Sequence, residues 1–225
     1  ANYTGLSKTV GFTIAKATLP GGGEEPGGGT VPEEGLSKFD TVAMYDGEGH
    51  TIKTNDLVAA FKAAVGGDVS VQYACGGSGA PVLPWMSAAP DFTDVCETSV
   101  WYKVTSANYQ DFTHEAKVTV TNRPVTLTSG TKTDFTYDGK PHAYTNLSVT
   151  AGSFVAGEGI ATSNWATVTT VAESPKPNAF EYKLKDNTFE ENYTITVVTG
   201  KISVVEAEIE PKDPEEPGEG EIPEE

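Results

Sequence analysis

Two histidines sit in the same short pattern. Tyr45-Asp46-Gly47-Glu48-Gly49-His50 and Tyr137-Asp138-Gly139-Lys140-Pro141-His142 each place an imidazole four residues after a carboxylate. That pairing is raw material for general acid–base catalysis. Asp-Gly after an aromatic residue is equally a strong tight-turn signal. Recurrence at two equivalent turns favours the structural role. Asp40, Asp46 and Glu48 make an acid-rich stretch that reads as turn and solvated surface. Asp91 and Asp94 could offer loop oxygens to calcium, but the alternating carboxylates of a dedicated calcium loop are missing. No Gly-x-Ser-x-Gly elbow marks a nucleophilic serine. The expectation is a protein that is not an enzyme, with no catalytic residues, no metal site and no cofactor.

Other residue types suggest binding or cross-linking. Tyr73, Trp85 and Phe92, with Met86 nearby, could build an aromatic platform for a sugar, since aromatic rings join apolar faces to polar edges. The competing reading is core packing under a long loop. A Lys–Asn isopeptide bond would need a lysine, an asparagine and a carboxylate together in a dry core. Lys183 or Lys201 with Asn192 is the one combination to consider, and both lysines fall at outward-looking strand positions. Asn2, Asn146 and Asn192 begin Asn-x-Ser/Thr sequons that read as chance occurrences. Cys75 and Cys96 are too few for a zinc site without suitably spaced histidines. In an exported protein they are expected to form a disulfide.

The formal charge of −17 belongs mainly to particular segments. Residues 206–225 hold ten acidic residues against Lys212 alone, and Glu24, Glu25, Glu33 and Glu34 sit in a second Gly/Pro-rich stretch. Acidic Pro-rich segments are solvated and extended by self-repulsion. Arg123 is the single arginine, which argues against a nucleic-acid partner. No apolar run approaches the roughly 20 residues a membrane helix needs, so no membrane insertion is expected. Ala1 opens a β-like pattern instead of a basic-then-apolar leader, which predicts an internal piece of a longer chain.

Internal repetition organises the rest. An Asn-Tyr pair followed by an alternating strand occurs at Ala1-Asn2-Tyr3, Ala107-Asn108-Tyr109 and Glu191-Asn192-Tyr193. Each Tyr-Asp-Gly opens a unit and each Asn-Tyr strand closes one. The two openings are 92 positions apart, a normal small-domain length. The boundaries follow: residues 1–19 close a preceding module, 20–35 are a Gly/Pro/Glu linker, 36–123 and 124–207 are two β-rich modules, and 208–225 are an acidic linker. Val100–Val104, Val118–Val120, Phe180–Leu184 and Tyr193–Val198 read as strands. One segment breaks the pattern. Leu57, Val58, Phe61, Ala64 and Val65 recur at helical spacing, which predicts a helix over about 55–65. Thr54 or Asn55 is placed to cap it, and Gly66-Gly67 to end it.

The order of these motifs resembles the tandem MBG-type repeats (mucin-binding-protein-like, β-grasp-related) of Gram-positive surface proteins. The resemblance covers nearly all of residues 36–207 and the strands expected in 1–19. It rests on the Tyr-Asp-Gly openings, on Tyr73, Trp85, Ala89-Pro90-Asp91-Phe92-Thr93-Asp94 and Val100–Tyr109, and in the second module on Gly152, Gly157-Glu158-Gly159, Asn178-Ala179-Phe180-Glu181-Tyr182 and Glu191-Asn192-Tyr193. Asp94-Val95-Cys96 departs from the family's usual glycine-containing turn, and Cys75 stands where serine is common. The resemblance implies two small β-grasp-like or Ig-like modules in an extracellular, wall-associated protein, monomeric within a longer chain. It implies a stalk or spacer, or else an adhesin module for host mucin, glycan or protein.

Overall fold

Leu57 and Phe61 lie one turn apart on the helix the sequence predicts, and both are buried. The computed structural model describes residues 13–18, 36–76 and 79–209, apart from the side chain of Ser163. Helix α1 spans Thr54–Val65. Neither Thr54 nor Asn55 caps it with a side chain: Lys53 is the N-cap residue, and its carbonyl accepts from Leu57 N–H. Gly66 ends the helix as expected, in the left-handed conformation at φ 65°, with its N–H on Lys62 O. That conformation costs a glycine nothing sterically.

The protein is mostly β and divides into two units. The first takes the described residues up to Pro124, together with Phe154–Glu158 and Asn187–Thr194. It holds α1 and strands β1 (Thr41–Met44), β2 (Ser70–Gly76), β3 (Val82–Met86), β4 (Cys96–Ser106) and β5 (Tyr109–Thr121) in one sheet ordered β1-β5-β4-β2-β3. The first strand, β1, runs parallel to the last, β5, while the other neighbours are antiparallel. Alternation puts Val100, Tyr102 and Val104 of β4 and Phe112, Ala116, Val118 and Val120 of β5 on the buried face. Phe61 of α1 meets that face, with ring centroids 6.2 Å from Tyr102 and 5.3 Å from Phe112, and Phe39 closes the cluster at 6.1 Å from Tyr102. Each such side chain contributes roughly 1.5–3 kcal/mol by burial.

Part of β5 lies beyond the reach of β1. There Asp40 Oδ1 accepts from Lys117 N–H at 2.8 Å, and His114 Nδ1 accepts from Glu115 N–H at 2.7 Å. Side chains that occupy edge amides in this way protect a strand from pairing with other chains.

The second unit takes Val125–Ser153, Gly159–Asp186 and the described residues from Ile195. Its sheets are small. Strand β15 (Lys201–Val205) lies between β12 (Lys176–Pro177) and β7 (Lys132–Thr136), parallel to β7. Strand β6 (Arg123–Ser129) lies between β9 (Leu147–Gly152) and β14 (Tyr193–Val198). Strands β10 (Ile160–Trp165) and β13 (Phe180–Leu184) pair with each other, as do β8 (His142–Ala143) and β11 (Thr167–Val168). The four strands read from the sequence fall within β4, β5, β13 and β14. The core gathers on Val168, Ile202 and Val204.

The expected disulfide is corrected by the register. Cys75 lies opposite Val100, and Cys96 is four residues further along β4. At about 3.3 Å per residue along a strand, their Cα atoms stand roughly 14 Å apart, against about 7 Å at most for a disulfide. Both thiols are free. Thiol titration of protein purified under oxidising conditions is expected to find two reactive sulfhydryls after denaturation. An intact mass two hydrogens lower would contradict the register.

Most of segments 1–19, 20–35 and 208–225 lies outside the described residues. From the first, Ala17 bridges β5 in parallel at Tyr109: its N–H donates to Asn108 O at 2.9 Å and its carbonyl accepts from Gln110 N–H at 2.7 Å.

Candidate functional site

The two Tyr-Asp-Gly turns are the same object built twice. Asp46 Oδ1 accepts from Glu48 N–H and faces His50 Nε2, both at 2.9 Å. Asp138 Oδ1 accepts from Lys140 N–H and faces His142 Nε2, again both at 2.9 Å. Gly47 and Gly139 take φ of 83° and 78°. The backbone amide in each turn, then the histidine, hold the Asp46 and Asp138 carboxyls below the usual range. Each histidine is also fixed through its strand. His50 exchanges backbone hydrogen bonds with Phe92, and His142 pairs opposite Val168 and stacks on Phe135 with centroids 4.9 Å apart. The imidazoles and carboxylates hold the turns, as their repetition suggests.

The scaffold behind the turns is duplicated too. Met44 pairs with Thr121 in the parallel β1–β5 ladder, and Tyr45 N–H then donates to Thr121 O at 2.9 Å. Thr136 pairs with Val205 in the parallel β7–β15 ladder, and Tyr137 N–H donates to Val205 O at 3.0 Å.

At Tyr45 this scaffold carries a polar cluster within the first unit. Tyr45 OH donates to Glu158 Oε1 at 2.5 Å, and Tyr193 OH donates to Glu158 Oε2 at 2.7 Å. The Tyr193 hydroxyl also accepts from Val155 N–H at 2.9 Å. The two phenol rings meet edge to face, 5.4 Å between centroids. Beside them Asn192 is fully buried: its Oδ1 accepts from Val95 N–H at 2.9 Å and its Nδ2 donates to Asp94 Oδ1 at 2.8 Å. Asn122 Nδ2 donates to Glu191 O, and an Arg123 guanidinium N–H donates to Tyr45 O. A Cβ on Gly47 would meet Val155 Cγ1 at 2.8 Å. Glycine is therefore required there both for its conformation and for this close approach.

Burial, then the Glu158 carboxylate, raises the Tyr45 phenol. Tyr193 is pushed up to about 12, by burial first and Glu158 with it, against the opposing hydrogen bond from Val155. A phenol that ionises later in the fold than in the unfolded chain contributes stability that is fully present below pH 10 and is lost as pH rises through about 12. The melting temperature is expected to fall across that window while phenolate absorbance rises. Tyr193→Phe is expected to shrink both changes, and an unchanged alkaline limb would refute the assignment.

The sequence-based aromatic platform is dispersed differently. Tyr73 is buried at 5% exposure, opposite Tyr102, and so offers no ring face to a ligand. Trp85 is half-buried on the edge strand β3, and Phe92 is half-buried in its bridge to His50. Asp40 and Asp46 are engaged as described, and Asp94 binds the Asn192 amide instead of lining an open calcium loop. Among the described residues, no three of His, Cys, Asp and Glu converge on a metal position. No helix in the described residues is long and apolar enough to cross a membrane. Lys183 and Lys201 are exposed, while the Asn192 amide is committed to Asp94 and Val95. Its burial also excludes Asn192 as a glycan acceptor in the folded chain.

No protein-family model matches the sequence, and no curated protein matches it. Among solved structures, human protocadherin-24 EC1-2 aligns at 11% identity over 76% of this chain and 96% of that one, with a TM-score of 0.22. A likeness that low carries no argument about fold or function.

Proposed function

We propose that this chain is a non-catalytic run of tandem repeat modules from a bacterial cell-surface protein, serving outside the cell as a wall-associated stalk or spacer. The observation that supports the reading is the duplicated scaffold. Two parallel strand pairs, β1 with β5 and β7 with β15, lead into two identically bonded Tyr-Asp-Gly-x-x-His turns. At both places the Asp carboxylate binds backbone and the imidazole braces the carboxylate. A repeated unit whose polar groups serve its own geometry suits a protein whose product is length.

A second reading, an adhesin module for host mucin, glycan or protein, is favoured by one feature. Half-buried Trp85 stands on an edge strand beside Val82 and Leu83, which are 63% and 64% exposed. A mucin and glycan array probed with the full chain separates the two. The stalk reading expects signals no higher than those of a Trp85→Ala variant. Saturable binding that Trp85→Ala abolishes would reject it in favour of the adhesin.

A further inference from the structure

Tyr137 occupies the place in the second repeat that Tyr45 occupies in the first, yet their surroundings differ. Tyr45 is 3% exposed, covered by Glu158 and Tyr193, whereas Tyr137 is 46% exposed. A Cβ on Gly47 would strike Val155, whereas nothing stands within 4 Å of one on Gly139.

The correspondence extends to the other residues that hold the cluster at Tyr45. Counting from the His50–Phe92 bridge and from the His142–Val168 pair, Asp94 and Val95 correspond to Thr170 and Val171. Counting from Thr121 and Val205, the partners of the two tyrosine amides, Asn122 and Arg123 correspond to Glu206 and Ala207. Tyr137, Thr170, Val171, Glu206 and Ala207 all line one groove of 480 Å³, with Ile209 at its side. The surface that grips Asn192, Glu158 and Tyr193 in one repeat is thus an open apolar groove in the other.

We infer that the Tyr137 groove is a docking site for a further repeat of this type, which would insert its equivalents of Phe154–Glu158 and Asn187–Thr194. The occupant is defined by chemistry: a carboxylate to receive the Tyr137 hydroxyl, and an Asn-Tyr pair to lie over Thr170 and Val171. The same approach recurs upstream, where Ala17 hydrogen-bonds to Asn108 O and Gln110 N–H, on either side of Tyr109 in the first repeat's own Asn-Tyr pair. The inference rests on the repeat reading but not on the stalk role.

The test inserts a second copy of residues 124–209 after Ile209 of the full chain, with residues 210–225 following the copy. Tyrosine nitration is then mapped by mass spectrometry. In the unextended chain Tyr137 is expected to nitrate readily and Tyr45 poorly, following their exposures of 46% and 3%. In the extended chain Tyr137 is expected to become as protected as Tyr45. Replacing the added copy of Glu158 by Ala should restore its reactivity. Tyr137 remaining as reactive as before, with the added copy shown folded by its circular dichroism, overturns the inference. A second measurement needs no extension: Glu158→Ala in the unextended chain should raise Tyr45 nitration towards that of Tyr137. An unchanged Tyr45 removes the basis of the comparison and overturns the inference as well. Glycan binding by a chain that docks would reject the stalk role and leave the docking intact.

Discussion

Phe61→Ala is expected to destabilise the first unit by about 3–5 kcal/mol. Phe61 is 2% exposed and reaches Phe39, Tyr102 and Phe112, with centroids 6.4, 6.2 and 5.3 Å away. It is the side chain through which α1 joins the sheet, so truncation both removes buried area and opens a cavity among rings that cannot all collapse inward. For a unit of this size the loss corresponds to roughly 15 °C or more in melting temperature. Calorimetry, with hydrogen exchange at the amides of β4 and β5, checks it. A shift of only a few degrees with unchanged protection would mean that the helix is dispensable to the sheet.

Asn178→Ala is expected to cost the second unit about 2–4 kcal/mol. Asn178 is fully buried, and its Nδ2 donates to Gly130 O and Tyr144 O, both at 2.9 Å. Its own carbonyl accepts from Ser129 Oγ at 2.6 Å, and its N–H donates to Gly200 O. One side chain therefore supplies hydrogens to two turn carbonyls, and alanine would leave both half-buried carbonyls without them. The effect should exceed that of Val168→Ala per atom removed, because unmet carbonyls cost more than the matching apolar area. Paired denaturant titrations of the two variants give the comparison. A loss below about 1 kcal/mol would show that water replaces the amide.

What the sequence disclosed was local. The spacing of Leu57 and Phe61 and the double glycine after Val65 were enough to place α1, because a helix is written in contacts four residues long. Asp46 and His50, or Asp138 and His142, meet within one turn, so their geometry was legible as well. Glu158 was not, since it lies 113 residues from the tyrosine it receives, and no short pattern announces such a pairing. Asn192 stood out only as a sequon, a repeat-motif residue and an isopeptide candidate, and Asn178 only as part of a motif; their burial follows from carbonyls and amides brought together by distant strands. Cys75 and Cys96 misled for the same reason. A count of intervening residues says nothing about ladder register, and the register sets them far apart along neighbouring strands.

The parallel pairing of β1 with β5 bears on how the first unit answers tension. Its first strand and its last lie side by side and point the same way. Tension applied through the flanking chain draws one strand backward and the other forward along their common axis. The hydrogen bonds between them are then loaded together in shear, where an antiparallel hairpin pulled at its two ends would unzip one bond at a time. Rupture must break the whole terminal ladder in one step, which makes the join between first and last strand the mechanical clamp of the first unit.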